Sequence, residues 1–307
     1  MQTKHSNLSS RLISIIGTLV VMSAVILVGE KLLKNWPIIA AWHPPNNICW
    51  IVLAGGGVYA LSSFCLSFAW FNLLKLFGQP QVSGYVCLSM YSRTQIAKYI
   101  PGNIFHLAGR HVFANRLCLS QASITGANLY EAICIITAAS CVSVACIGVQ
   151  NTNSSIWLLL LALVSVALPF VINAATRHIS GLRKFNLPNH SLPTLLKILL
   201  PVYLLYVLFF LVASALLLWV VYQIAGENTP SFFAIAAIFS ATWIAGFITP
   251  GSPAGLGIRE ALIVGSLTGI IGESQGLLAA LVFRTITVTG DLMFFGTSFL
   301  PVSREGA

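Results

Sequence analysis

Two stretches of this chain place a helix-breaking Pro-Gly pair a short, equal distance ahead of an arginine. Pro101-Gly102 precedes Arg110, and Pro250-Gly251 precedes Arg259, with 149 positions separating both the prolines and the arginines. Both copies lie in or beside strongly apolar sequence, where a broken helix and a guanidinium each cost free energy. The second copy runs from Thr249 to Glu260 and adds Pro253, Gly255 and Gly257. Two prolines and three glycines end any helix here, and the freed backbone groups must be buried in protein or face a watery cavity. The next helix is expected to begin near Leu256. Its N-terminal N–H groups and dipole suit an oxyanion such as phosphate, to which Arg259 adds a bidentate donor and beside which Glu260 sits. The competing interpretation is a tight interfacial loop with Arg259 on lipid headgroups.

The first copy, Arg93 to His111, contains Lys98, Pro101, Gly102, His106 and Arg110. Arg93, Lys98 and Arg110 are candidates for a basic pocket, and His106 lies one turn before Arg110 on the same helix face. A cytoplasmic interfacial segment with snorkelling cations is the alternative. His106 and His111 have a spacing seen in zinc sites, but no cysteine pair accompanies them, so no metal site is assigned, and no cofactor is implied. No nucleophile accompanies the histidines either. Four further charges fall within apolar helices: Glu131, Glu260, Arg284 and Asp291. Intramembrane ionisable groups pair with one another and mark transport pathways. Arg284 and Asp291 are two turns apart on one face. Glu131 and Arg284 occupy roughly corresponding spans, so a Glu131–Arg284 pair is expected, with Glu131 or Asp291 as candidate coupling groups.

The elements that position these residues follow from composition. Of 307 residues, 57% are hydrophobic and 7% charged, at a mean hydropathy of +0.88. A soluble domain carries about 25% charged residues, so this chain lacks the polar surface to cover a water-soluble globule. Charge-free apolar runs over 12–29, 48–74 and 198–226 can each cross a bilayer. The fold class is all-α, a polytopic transmembrane bundle of about 7–9 segments. Spans are expected over 11–30, 48–74, 121–149, 155–175, 195–225 and 275–300. Broken segments are expected over 82–116 and 231–272, and a polar linker over 176–194. No segment between spans is long enough for a second core, so 1–307 is a single membrane domain. The N-terminal stretch reads as a retained span, because Glu30-Lys31 follows it without a small-residue cleavage pattern. The seven cysteines form no CxxC pair and read as small packing residues.

The net charge of +9 comes from cations at span ends, which membrane topology explains without nucleic acid. With the N-terminus cytoplasmic beside Lys4 and Arg11, the loops carrying Lys75, Arg93, Lys98, Arg110 and Arg116, then Arg177, Arg183 and Lys184, and finally Arg304, all fall inside. Lys31 and Lys34 depart from the rule. The linker, with His178 and His190 beside its cations, reads as a loop attracted to anionic headgroups. Trp36, Trp42, Trp50 and Trp157 read as interface anchors. The same parity opens the first Pro-Gly hairpin to the cytoplasm and the second to the outside. Repeat one, about 48–149, and repeat two, about 195–300, are then inverted, an arrangement that supports alternating access. Hairpins that fully span keep the same parity.

The stretches AKYIPGNIFHLAGR and TPGSPAGLGIREA resemble the two signature regions of the lysylphosphatidylglycerol synthase transmembrane-region family, also called flippase-like. The matching positions are Lys98, Tyr99, Pro101, Gly102, Gly109, Arg110, Pro250, Gly251, Gly255, Leu256, Gly257, Arg259, Glu260 and Arg284. The resemblance covers about 10–300 in span order. Ser252-Pro253-Ala254 departs from the shorter Gly-rich turn the family often has. The best understood members pair this membrane domain with a soluble aminoacyl-transferring domain. Here the sequence ends at Ala307, soon after the last span, so aminoacylation is not carried over. The resemblance implies a flippase for an anionic phospholipid or a polyprenyl-phosphate-linked lipid in a bacterial cytoplasmic membrane. It also implies membrane lipids, and enzymes of glycan or lipid biosynthesis, as partners. No phosphate-binding P-loop is present to supply ATP energy. A membrane enzyme acting on lipid-linked phosphate or sugar, and a scaffold for glycan assembly, are the alternatives.

Overall fold

The computed structural model describes residues 47–79, 81–100, 104–150, 192–250 and 252–299, with Ala167 and a few positions between 26 and 41. Apart from those positions, the expected spans over 11–30 and 155–175, most of the linker and both termini lie outside the described residues. So do Pro101, Gly102 and Gly251.

The described residues are helical, with no strand among them. A short helix α1, Trp36–Ala41, precedes α2, Ile48–Leu76. Then come α3, Gly84–Gln95, a 3₁₀ turn, Ile96–Tyr99, and α4, Phe105–Arg116. Helices α5, Gln121–Gln150, and α6, Leu192–Ala225, are long. Helix α7, Phe232–Ile248, is followed by a 3₁₀ turn, Pro253–Gly255, by α8, Ile258–Ile271, and by α9, Glu273–Gly296. Five stretches are long and apolar enough to cross a membrane: Ile48–Leu76, Gln121–Gln150, Pro193–Asn228, Pro253–Ile271 and Glu273–Phe299. The protein is an integral membrane helical bundle. The fourth stretch carries a break, because Ala254 takes φ 51° and the regular helix starts only at Ile258.

Local sequence explains the boundaries. Ser83 and Ser231 cap α3 and α7, each accepting a bond of 3.2 Å, from the N–H of Val86 and Ala234 respectively. Gly272, at φ 88°, ends α8 and lets α9 start at once. The first hairpin is built of short helices. At 1.5 Å per residue, the 12-residue α3 and α4 are each about 18 Å long, below the ~30 Å of a hydrocarbon core.

The two halves interlock. Helix α2 packs along α9 and α6, and α5 along α7. The α2–α9 approach depends on small residues. A Cβ on Gly290 would lie 2.7 Å from the carbonyl oxygen of Gly56, and one on Gly56 would lie 2.9 Å from the Thr289 side chain. Apolar helices gain little by hiding from apolar lipid, so close backbone packing of this kind holds them together. Lys34, one of the two cations that break the charge rule, pairs with Glu273 at the start of α9 at 3.6 Å. Trp36 and Trp50 are exposed.

Gly290→Ala is expected to destabilise the bundle by about 1–3 kcal/mol, because the clashing atom is backbone and cannot turn aside. Gly265→Ala in α8, where nothing lies within 4 Å, is the control and should leave thermal stability in detergent unchanged or raised. Equal melting temperatures for the two variants would contradict the α2–α9 contact.

Candidate functional site

The two breaks meet inside the bundle. The turn Ile96–Tyr99 touches the turn Pro253–Gly255, and α9 runs past the first of them. Lys98 Nζ lies 2.8 Å from each carboxylate oxygen of Asp291, and the Tyr99 hydroxyl donates to Asp291 Oδ2 at 2.6 Å. One intramembrane carboxylate thus fixes the first hairpin to the last helix.

A second cluster lies between α4 and α5. Arg110, 1% exposed, forms a salt bridge with Glu131 and donates to Asn128 Oδ1 at 2.9 Å. The Tyr91 hydroxyl donates to Glu131 Oε1 at 2.7 Å, and Trp70 Nε1 donates to Asn128 Oδ1 at 3.1 Å. The guanidinium also lies over the Tyr91 and Trp70 rings, 4.2 and 4.7 Å from their centroids. Arg110 is therefore neutralised on its carboxylate side and stacked on two aromatic faces.

The third cluster surrounds the second break. Glu260 Oε2 accepts from the N–H of Gly257 at 2.7 Å, and Glu260 Oε1 lies 3.4 Å from Arg284 Nη1. Arg284 Nη1 also lies 3.4 Å from the carbonyl oxygen of Ala254. Arg259 sits in a slot made by two glycines. A Cβ on Gly246 would lie 2.7 Å from its Cγ and Nε, and a Cβ on Gly255 2.5 Å from its Nε. The Trp243 ring, one turn before Gly246 on α7, lies 5.2 Å from its guanidinium carbon.

Four cations and three carboxylates meet here. Lys98, Arg110 and Arg284 each have a carboxylate, whereas among the described residues Arg259 has no salt bridge. The position 149 residues beyond Glu131 is Ala280, which lines a cavity beside Arg259.

Two cavities share Tyr59, Lys98, Ala254 and Arg259 in their walls. The smaller spans about 470 Å³, its open mouth included, and reaches Glu260, Arg284 and Asp291. The larger spans about 670 Å³ on the same basis and reaches Gln95, His106, Arg110, Asn128 and Glu131. Several buried polar atoms around them have no hydrogen-bond partner: Arg259 Nε, Arg284 Nε and Nη2, His106 Nδ1, Arg110 Nε and Asn128 Nδ2. Native interiors leave few such atoms, and here they are concentrated around the two cavities.

Several expectations change. The Glu131–Arg284 pair does not form, because each residue has a nearer partner in its own half, Arg110 and Glu260. The last helix of the second hairpin starts at Ile258 rather than Leu256, because Gly255 and Gly257 adopt φ of 74° and 82°. Glu260 also supplies that helix end with its own anion through the N–H of Gly257. Arg93 is not in a pocket with Arg110. It donates to the carbonyl oxygen of Ser298 at 2.9 Å and faces Phe113 and Phe299. His106 and Arg110 do line one cavity together, and Pro250 ends the turn after α7.

Sequence reasoning missed Tyr59, Trp70, Tyr91, Asn128 and Trp243. Asn128 was within reach, because it lies three residues before Glu131 on the same face of α5. No group of three or more His, Cys, Asp or Glu suited to a metal occurs among the described residues. The cysteines are free thiols, with Cys87, Cys134 and Cys146 buried. No protein-family model matches the chain, and no curated protein matches its sequence. The site is therefore interpreted from its own geometry.

Arg110→Ala leaves Glu131 buried and uncompensated and should cost about 3–5 kcal/mol, seen as a loss of folded protein on size-exclusion chromatography. The double variant Arg110→Met with Glu131→Leu removes both charges and should recover most of that yield. Arg259→Gln, which orphans no carboxylate, should fold at the wild-type level. A folded Arg110→Ala protein of wild-type stability would contradict the pairing.

Proposed function

We propose that this protein moves an anionic lipid, a phospholipid or a polyprenyl-phosphate-linked lipid, between the leaflets of a cytoplasmic membrane. Membership of the lysylphosphatidylglycerol synthase transmembrane-region family fits the motif resemblance. The observation that carries this reading is Arg259, a slotted guanidinium with no salt bridge among the described residues, at the wall common to two cavities. A phosphate supplies the missing charge, and Arg259 binds it through charge-assisted hydrogen bonds, with the unpartnered Nη2 of Arg284 lining the same cavity. Arg110 serves a different role and holds the first hairpin to α5 through Glu131.

The short α3 and α4 support a re-entrant first hairpin, and the recurrence of the Pro-Gly device supports two inverted repeats. Rocking of one repeat against the other opens the phosphate seat first to one leaflet and then to the other. Asp291, bonded to the first hairpin and carried on the last helix, sits where such a motion makes and breaks contacts.

Leaflet-resolved lipid movement in proteoliposomes tests this reading, with labelled phosphatidylglycerol and a polyprenyl phosphate. Wild-type protein should move at least one of them, and Arg259→Gln should slow movement by about 10–100-fold, the worth of a hydrogen bond to a charged group. Wild-type protein that moves neither lipid, or a variant as fast as wild type, overturns the proposal. Chemical conversion of the cargo in the same vesicles establishes the enzyme reading instead.

A further inference from the structure

The larger cavity contains more polar machinery than a phosphate needs. His106 and Asn128, 8% and 6% exposed, line it, and His106 Nδ1 and Asn128 Nδ2 have no partner. The Arg110 side chain lines it too, with Nε equally unpartnered, and Gln95 contributes an amide to the same wall. These groups surround space already charge-balanced by the Arg110–Glu131 and Lys98–Asp291 pairs. Buried amide and imidazole groups left unpaired cost free energy, which a ligand offering several hydroxyls recovers. Tyr91, Trp243 and Phe247 line the same cavity and give it apolar wall beside these polar groups.

Charge narrows the ligand further. Arg259 leaves a surplus of one positive charge, which a phosphodiester matches. A second positive charge on the headgroup finds no free acceptor among the buried carboxylates. Glu131 is engaged by Arg110 and Tyr91, Asp291 by Lys98 and Tyr99, and Glu260 by Arg284 and the N–H of Gly257.

We infer that the larger cavity is a headgroup subsite for an uncharged, hydroxyl-rich ring, a sugar or cyclitol, joined through a phosphodiester whose phosphate sits at Arg259. This rests on the phosphate seat proposed above. Arg259 stands at the junction, so the phosphate rests there while the ring extends toward His106 and Asn128. The same electrostatics disfavour ammonium-bearing headgroups.

Titration of the full chain in detergent with dioctanoyl phosphatidylinositol, phosphatidylmethanol and phosphatidylethanolamine separates the two levels, because all three are phosphodiesters. Wild-type protein should bind phosphatidylinositol at least about tenfold tighter than phosphatidylmethanol, the worth of one or two hydrogen bonds, and phosphatidylethanolamine weakest. His106→Phe, and separately Gln95→Met in case the first fails to fold, should erase that preference and leave phosphatidylmethanol binding intact. Arg259→Gln should weaken all three. Equal wild-type affinity for phosphatidylinositol and phosphatidylmethanol, or a preference that survives both substitutions, overturns the headgroup subsite while the phosphate seat stands. No binding of any lipid, or phosphatidylmethanol binding indifferent to Arg259→Gln, removes the seat and the subsite together.

Discussion

The structure depends on placing four cations and three carboxylates inside an apolar bundle. Uncompensated charge there is costly, so each ion pair is also a positional constraint. The Arg110–Glu131 pair sets how α4 lies on α5, and Lys98 with Tyr99 sets the first break against α9 through Asp291. Arg284 and Glu260 bind α9 to the start of α8. These three bonds join the broken turns to the long helices that carry them, and the cavities exist in the shape they leave. The glycines of α2 and α9 support the same arrangement by bringing Asp291 close enough for Lys98 to reach.

Arg110 and Arg259 arise from one sequence device and have opposite surroundings. Glu131 meets the first, whereas Ala280 stands at the matching offset from the second. The two arginines therefore differ in whether a carboxylate stands within reach. Burial alone would make an unpaired guanidinium intolerable. The Gly246–Gly255 slot and the Trp243 face hold it in place, and its polar end meets the cavities rather than packed hydrocarbon.

Much of this was legible in the residues. Among the described residues, the spans expected over 48–74, 121–149, 195–225 and 275–300 agree with helices to within a few positions, because a 20-residue apolar run has few other uses. Each Pro-Gly pair falls between two described helices, and the buried charges cluster around the cavities. Pairing was not legible, since Glu131 is reached by Arg110 from a neighbouring helix whose rotation no pattern specifies. Helices α2 and α5 are apolar around most of their circumference, so periodicity did not show which faces carry Trp70 and Asn128. The start of α8 was misplaced by two residues because left-handed backbone at Gly257 delays the first helical turn.

The bond from Lys98 to Asp291 spans 193 positions of sequence. During synthesis the first hairpin is made long before its carboxylate, and Lys98 must wait through several helices for its counter-ion. At a rate of about 5–20 residues per second, the interval is on the order of ten seconds or more. Through that time an ammonium group, which the finished bundle pairs with Asp291, must remain in contact with water or headgroups. The first hairpin therefore cannot settle to its final depth until α9 arrives, and closure of the site belongs to the end of assembly.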